Sequence, residues 1–237
     1  LSSAYGNLAE TVELADDYRS VAFTLREGAY WHDGMPITIE DVIWTFNTLK
    51  SKGSVAWKSA NKRVVSVEQV GPRTFRFRFD ESAPKTRQLA MQMSSFIPLP
   101  KHYWKNRTFN ATTLEPPLGS GPYRIKMVDA GHRIIYQGVK DYWGRNLNVN
   151  IGAHNLGEIE FIYFFDKNVV IQALRAGVFD YQREFNTEDF ATAYDFWGLH
   201  KGLFIKKILK LGKTYGMDWG ILFNTRIEKL SDIRVRE

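Results

Sequence analysis

Cysteine is absent from all 237 residues, which removes a disulfide framework, a thiolate zinc site and a thiol nucleophile together. Long apolar runs are absent too. No stretch approaches the roughly 18 consecutive apolar residues of a membrane span, so the chain is not expected to cross a membrane. No basic segment followed by an apolar one opens it as a secretion leader would. Because it starts at Leu1 rather than Met, the expectation is that a front segment has been removed. Internal repeats and low-complexity segments are missing as well.

Sites with recognisable chemistry are equally scarce. His32, His102, His132, His154 and His200 never fall three or four residues apart, so no helical metal pair exists, and no carboxylate run has calcium-loop spacing. No serine sits in a Gly-x-Ser-x-Gly elbow. His32-Asp33 precedes Gly34 in a turn signal, and a structural turn is the expectation. Gly119-Ser120-Gly121 resembles a phosphate cradle only superficially. A cradle leads into a helix whose N-terminus faces the anion, whereas Pro122 and a strand starting at Tyr123 follow here. No cofactor, metal or catalytic residue is expected, and the chain is not expected to be an enzyme.

What is present is a soluble-protein composition with many rings: 7 Trp, 11 Tyr and 16 Phe. Some must build core, and an aromatic-lined cleft is a second use for others. The length suits one large domain or two small ones. The formal net charge is +6, spread along the chain. The local cluster is Lys206, Lys207 and Lys210, on an expected strand from Phe204 to Lys210. A nucleic-acid footprint needs a denser stripe with stacking aromatics, so no nucleic-acid partner is expected.

Periodicity supplies the elements. Residues 21–25 read as a strand that runs into the Asp33-Gly34 turn. A helix follows, with Thr38 as cap, Asp41 at the third position, and Val42, Phe46 and Leu49 on one face before Gly53 ends it. Residues 65–70 and 75–79 alternate and are joined by Gly71-Pro72-Arg73-Thr74 as a hairpin, with Phe75, Phe77 and Phe79 on the buried face. Residues 123–128 and 133–137 form a second hairpin across Asp129-Ala130-Gly131-His132. Then the pattern changes. A strand at 159–164, a helix with Val169, Val170, Ala173 and Leu174 on one face, a stop at Gly177 and a strand at 179–181 suggest an α/β layer. A last strand is expected at 219–223. The segment 116–122, rich in Pro and Gly, suggests a boundary.

The order of these segments resembles the family 5 extracellular solute-binding proteins, the receptors of ABC importers for oligopeptides and dipeptides. Residues 23–38 carry Leu25-Arg26 and His32-Asp33-Gly34-Met35-Pro36-Ile37-Thr38, followed by Asp41-Val42-Ile43-Trp44-Thr45-Phe46. Pro100-Lys101-His102 follows, then Gly119-Ser120-Gly121-Pro122-Tyr123 with Asp141-Tyr142-Trp143-Gly144. Ala173 to Asp180, then Phe223-Asn224 with Asp232-Ile233-Arg234-Val235-Arg236, complete the set. Within the family, residues 113–126 and 191–196 are similar to the Yej-type peptide receptors, whose implied ligands include microcin C-like and cell-wall peptides.

The resemblance implies an α/β, type II periplasmic-binding-protein-like lobe with a mixed sheet and an additional hairpin-rich α+β subdomain. The corresponding division is 1–117 for the small subdomain, 118–224 for the main α/β part, and 225–237 for the start of a second lobe that is otherwise missing. Implied partners are a peptide ligand and an ABC-transporter permease in the inner membrane. The implied setting is the periplasm, with a monomeric receptor that closes two lobes on its ligand. Position in the family points to Arg183, Glu184 and Phe185, to Trp219, Gly220, Leu222 and Asn224, and to Trp57 in the loop after the first long helix. Arg183 and Glu184 would meet a ligand carboxylate and amine. Opines, oligosaccharides and nickel complexes are alternative solutes within the family. An anion or nucleic-acid-binding module is the alternative of another class, marked by heparin retention that vanishes at modest salt.

Overall fold

The computed structural model describes residues 5–208. The chain divides into two compact units, Leu1–Phe164 and Phe165–Glu237.

In the first unit four strands form one sheet: β1 (Ala9–Leu14), β2 (Ser20–Leu25), β3 (Val64–Gln69) and β4 (Thr74–Phe79). Their order is β1-β2-β4-β3, every pair antiparallel. Alternation sorts the faces. Phe75, Phe77 and Phe79 are buried, as expected, with Val21 and Phe23 beside them, while Arg78 pairs with Glu68 on the wet side. The helix α1 (Ile39–Lys52) lays Val42 and Phe46 on this face. It starts where the cap signal put it: the Thr38 side chain accepts from the Asp41 N–H, and the Asp41 carboxylate accepts from the Thr38 N–H. Such a reciprocal cap is worth about 1 kcal/mol. Gly53 closes the helix.

A short helix, α2 (Val55–Ala60), follows directly. Trp57 therefore does not lie in a loop. Its indole packs edge-on against Phe46 with ring centres 6.1 Å apart, because Ser54 caps the new helix and turns that face onto the core. Two further short helices are α3 (Arg87–Gln92) and α4 (Lys101–Trp104).

The second sheet is β5 (Tyr123–Asp129), β6 (Arg133–Gly138) and β7 (Glu158–Ile162), again antiparallel in that order. Its hairpin turns at Gly131, whose φ of +80° suits glycine. The segment 116–122 runs between the two sheets, inside the first unit.

Three motif stretches meet in this unit. The turn at residues 31–35 is closed by Gly34 N–H to Trp31 O and Trp31 N–H to Met35 O. The His32 N–H donates to Gly119 O at 2.8 Å, and its Nε2 donates to Gly121 O at 2.8 Å. The Trp143 Nε1 donates to Ser120 O at 3.0 Å, and the Tyr30 hydroxyl donates to Asp141 O. A side chain at Gly119 would put its first carbon 3.3 Å from the His32 ring, so the glycine lets the backbone approach. His32, the glycine segment and Trp143 thus form a clasp. Asp33 extends it by accepting from His102 Nε2 at 2.7 Å. Burial pushes the Asp33 carboxyl up, but the His102 contact and neighbouring N–H groups outweigh it and hold it below its ordinary value.

In the second unit α5 (Lys167–Arg175) buries Ile171 and Leu174, while Val169 is exposed. The inward face is therefore rotated from the one expected, with Val170 and Ala173 half-buried at its sides. Gly177, at φ +72°, ends the helix. The Gly177 N–H bonds Leu174 O and the Val178 N–H bonds Ala173 O, the paired closure that a glycine past the C-cap allows. Two short helices follow, α6 (Thr187–Thr192) and α7 (Trp197–His200).

Two expected strands do not form here. Residues 179–181 are not assigned to a strand, and Asp180 stands in a bend. Residues 204–208 are irregular as well. The Phe204 N–H closes α7 onto Gly198 O, its ring packs on Phe196, and Lys206 sits over the Phe190 ring. Lys210 and the expected strand at 219–223 lie outside the described residues.

Candidate ligand-binding site

Among the described residues of the second unit, the segment between α5 and α6 carries exposed rings and charged side chains side by side. Gly177 starts it and Asn186 ends it, capping α6 by accepting from the Glu188 and Asp189 N–H groups. Between them Tyr181 and Phe185 are 75% and 79% exposed. Arg183 is exposed as well and places its guanidinium over the Phe185 ring, 4.7 Å from the centre.

Glu184 behaves differently from its neighbours. Its side chain is only 11% exposed. One carboxylate oxygen accepts from the Phe185 and Asn186 N–H groups at 2.8 and 2.7 Å. The other accepts from the Tyr194 hydroxyl at 2.9 Å. Lys167, at the start of α5, stands 3.9 Å away and makes its close ion pair with Asp189 of α6. Burial pushes the Glu184 carboxyl up, yet the Asn186 N–H, the Tyr194 hydroxyl, the Phe185 N–H and the Lys167 charge together hold it below its ordinary value. The acid ties the segment to both flanking helices.

Tyr194 is the counterpart. Burial pushes its hydroxyl from 10.0 up to about 12, with the bond to Glu184 and the Glu184 charge acting the same way. The folded protein then keeps a proton that the unfolded chain gives up above pH 10.0. This contribution is full below pH 10.0 and is lost as pH rises through about 12. Glu184 has the opposite sign: its contribution is present above pH 4.5 and lost as pH falls through its depressed value. An ultraviolet titration of tyrosinate checks the first point. Tyr194→Phe is expected to remove one tyrosine that ionises near pH 12; loss of one that ionises near 10.0 would refute the arrangement.

Of the residues singled out in the sequence, Arg183 and Phe185 stack together on the exposed side of this segment, and Glu184 turns inward. Trp57 is used by the core of the first unit. Trp219, Gly220, Leu222 and Asn224 lie outside the described residues. Sequence reasoning missed Tyr194 and Lys167, and it read Glu184 as a ligand contact, whereas its carboxylate is committed within the protein. Among the described residues no group of three or more His, Asp or Glu is arranged to hold a metal ion. The cavity beside the clasp in the first unit, lined by Tyr30, His32, Arg124 and Asp141, is about 100 Å³. Pockets that take drug-sized ligands run to roughly 300–1,000 Å³, so this one falls below that range.

The family model of the bacterial extracellular solute-binding proteins, family 5 (middle segment), matches residues 3–237. The chain belongs to that family. Among curated relatives, the peptidoglycan-binding protein YepA of Agrobacterium fabrum is 37% identical over 242 residues, covering 99% of this chain and 39% of YepA. The probable peptide-binding protein YejA of the same organism is 35% identical over 245 residues, covering 100% of this chain and 39% of YejA. The chain therefore spans about two fifths of the length of these relatives. Among solved structures, a mannohexaose-bound periplasmic oligopeptide-binding protein of an ABC transporter from Thermotoga maritima matches with a TM-score of 0.63. It is 26% identical, covering 79% of this chain and 34% of that one. The fold is that of the family 5 periplasmic binding proteins, and no helix among the described residues is long and apolar enough to cross a membrane.

Proposed function

We propose that this chain supplies part of the substrate-binding component of an ABC-type importer. It receives peptides in a cleft between two lobes and delivers them to a permease in the inner membrane. One observation carries the reading: 35–37% identity over nearly the whole chain to proteins described as peptide-binding and peptidoglycan-binding. The component works in the periplasm as a monomer and performs no catalysis. The segment around Arg183 and Phe185, with Glu184 holding it, contributes to the cleft; Trp219, Gly220, Leu222 and Asn224 are further candidates by their position in the family.

Tyr181, Arg183 and Phe185, exposed in the run between α5 and α6, support this reading physically. Receptors of broad specificity bind an extended peptide through its main chain while roomy pockets tolerate varied side chains. A second reading, an oligosaccharide receptor, is favoured by the mannohexaose in the similar Thermotoga structure.

Mass spectrometry decides between them. The protein is purified from its own cells without denaturation, then unfolded, and the released solute is identified. Peptides are expected. A hexose series would establish the second reading, and a metal chelate or opine would overturn both.

A further inference from the structure

We propose that an open groove in the first unit holds a short neutral saccharide, as a site additional to the peptide cleft. The groove shares no residue with the segment between α5 and α6, and its occupant is independent of the solute that segment serves.

The groove encloses about 380 Å³, inside the roughly 300–1,000 Å³ of small-molecule pockets. Tyr5, Gly6 and Glu10 form one wall, Arg26 at the end of β2 the base, and residues 146–149, between β6 and β7, the other wall. Main-chain bonds fix these parts. The Arg26 N–H donates to Leu8 O and its Nε to Asn7 O, both at 2.8 Å, so the approach to β1 is pinned twice. Gly6 lets that approach fold back on the strand, since a side chain there would put its first carbon 2.9 Å from Ala9 O. Opposite, the Leu147 N–H donates to Gly144 O, and Leu147 O accepts from the Asn150 and Ile151 N–H groups. The loop is thus held without its outward amides. Asn146 and Asn148 are exposed, and their side chains have no partner among the described residues. Arg26 spends only Nε, which leaves its Nη donors, and Glu10 gives one oxygen to Arg73 at 2.8 Å and keeps the other.

These groups select a ligand class. A carboxamide sets a donor and an acceptor side by side, which matches neighbouring hydroxyls that each donate and accept. A peptide carries donor and acceptor on separate main-chain groups. Arg26 and Glu10 offset each other, so an ionic ligand meets an opposing charge as well as a favourable one. A wholly apolar ligand would bury these polar groups unpaired. Tyr5, 77% exposed, with Leu147 and Val149, supplies apolar surface for the C–H face of a sugar ring.

Side-chain NH₂ signals of the nitrogen-15-labelled 237-residue protein report on the groove directly by NMR. The Asn146 and Asn148 signals are those lost in Asn146→Ala and Asn148→Ala. The protein is titrated with cellotriose, with tri-N-acetylchitotriose and with the neutral peptide N-acetyl-Ala-Ala-amide. At least one saccharide is expected to move both signals saturably, and the peptide to leave them in place at the same concentrations. A preference for the acetylated sugar would add an acetamido group to what the amides recognise. Tyr5→Ala is expected to weaken saccharide binding about fivefold through loss of the ring, and Asn148→Ala about fivefold through loss of its hydrogen bonds. Tyr5, Asn146 and Asn148 are exposed, so none of these changes threatens the fold.

No saturable movement of both amide signals with either saccharide, an equal midpoint for the peptide, or undiminished binding in Tyr5→Ala would each overturn the inference. If a saccharide moves signals elsewhere while Asn146 and Asn148 stay still, the oligosaccharide-receptor reading gains and this inference fails.

Discussion

Phe77→Ala is expected to lower the stability of the first unit by about 4 kcal/mol, the usual cost of emptying a fully buried aromatic site. Phe77 is 0% exposed and is the ring on which the layer converges. Its centre lies 5.3 Å from Phe96, 5.6 Å from Phe75, 5.9 Å from Phe46 and 6.3 Å from Phe23. Those partners come from β2, α1, β4 and the stretch after α3, so the cavity cannot be filled by one element shifting alone. The cost combines lost transfer free energy, lost ring–ring contacts and the void. In urea the unfolding midpoint of this unit is expected to fall by roughly 2 M, taking a slope near 2 kcal/mol per M. Phe161→Ala is the control. That ring is 53% exposed on β7, and its loss is expected to cost about 1 kcal/mol or less. Equal costs for the two would show that the core is not centred where the structure puts it.

The elements that local chemistry specifies were the ones legible in the sequence. Thr38 and Asp41 mark the start of α1 because a cap needs an acceptor at one position and a partner three residues on. Phe75, Phe77 and Phe79 mark β4 because a half-buried strand must alternate. Gly177 marks the end of α5 because it supplies the positive φ. The failures share a different cause. β1 is a sheet edge whose middle residues are exposed, so its alternation is too faint to read. Residues 179–181 and 204–208 have strand-like composition, but Asp180 stands in a bend and Phe204 is drawn onto Gly198 and Phe196, so composition alone misplaces both. Trp57 reads equally well as a loop aromatic or a helix residue until Phe46 is known to face it.

The candidate site divides along the same line. That Arg183, Glu184 and Phe185 are candidates was readable from their position relative to the motifs. That Glu184 faces inward was not. Its partners, Lys167 and Tyr194, are supplied by α5 and by the turn after α6, and only the packing of those helices brings them to one carboxylate. A sequence shows that a charge exists; its direction depends on which donors surround it. Here the direction decides the chemistry, because it converts an apparently neutral dipeptide into an exposed cation and a buried tether.

Asp41→Ala is expected to cost about 3 kcal/mol, out of proportion to the size of the side chain. Asp41 is 4% exposed and serves more than the helix cap. One oxygen accepts from the Thr38 N–H at 2.9 Å, the Thr38 hydroxyl at 3.1 Å and the Trp31 Nε1 at 3.4 Å. The other accepts from the Lys101 N–H at 2.8 Å. One carboxylate therefore joins the start of α1, the turn at Trp31 and the start of α4. Truncation leaves three or four donors unpaired in a dry place, and each orphan costs roughly 1–3 kcal/mol before relaxation. Asp41→Asn is the sharper test because it preserves shape. The amide keeps an acceptor for one side only and aims its NH₂ at donors on the other, so a loss of about 2 kcal/mol is expected. Chemical unfolding reads the total, and amide hydrogen exchange at Lys101 reads the local part. Faster exchange at Lys101 in both variants is the expected result. A stable Asp41→Asn protein with Lys101 still protected would mean that capping, which a neutral side chain also performs, accounts for everything Asp41 does.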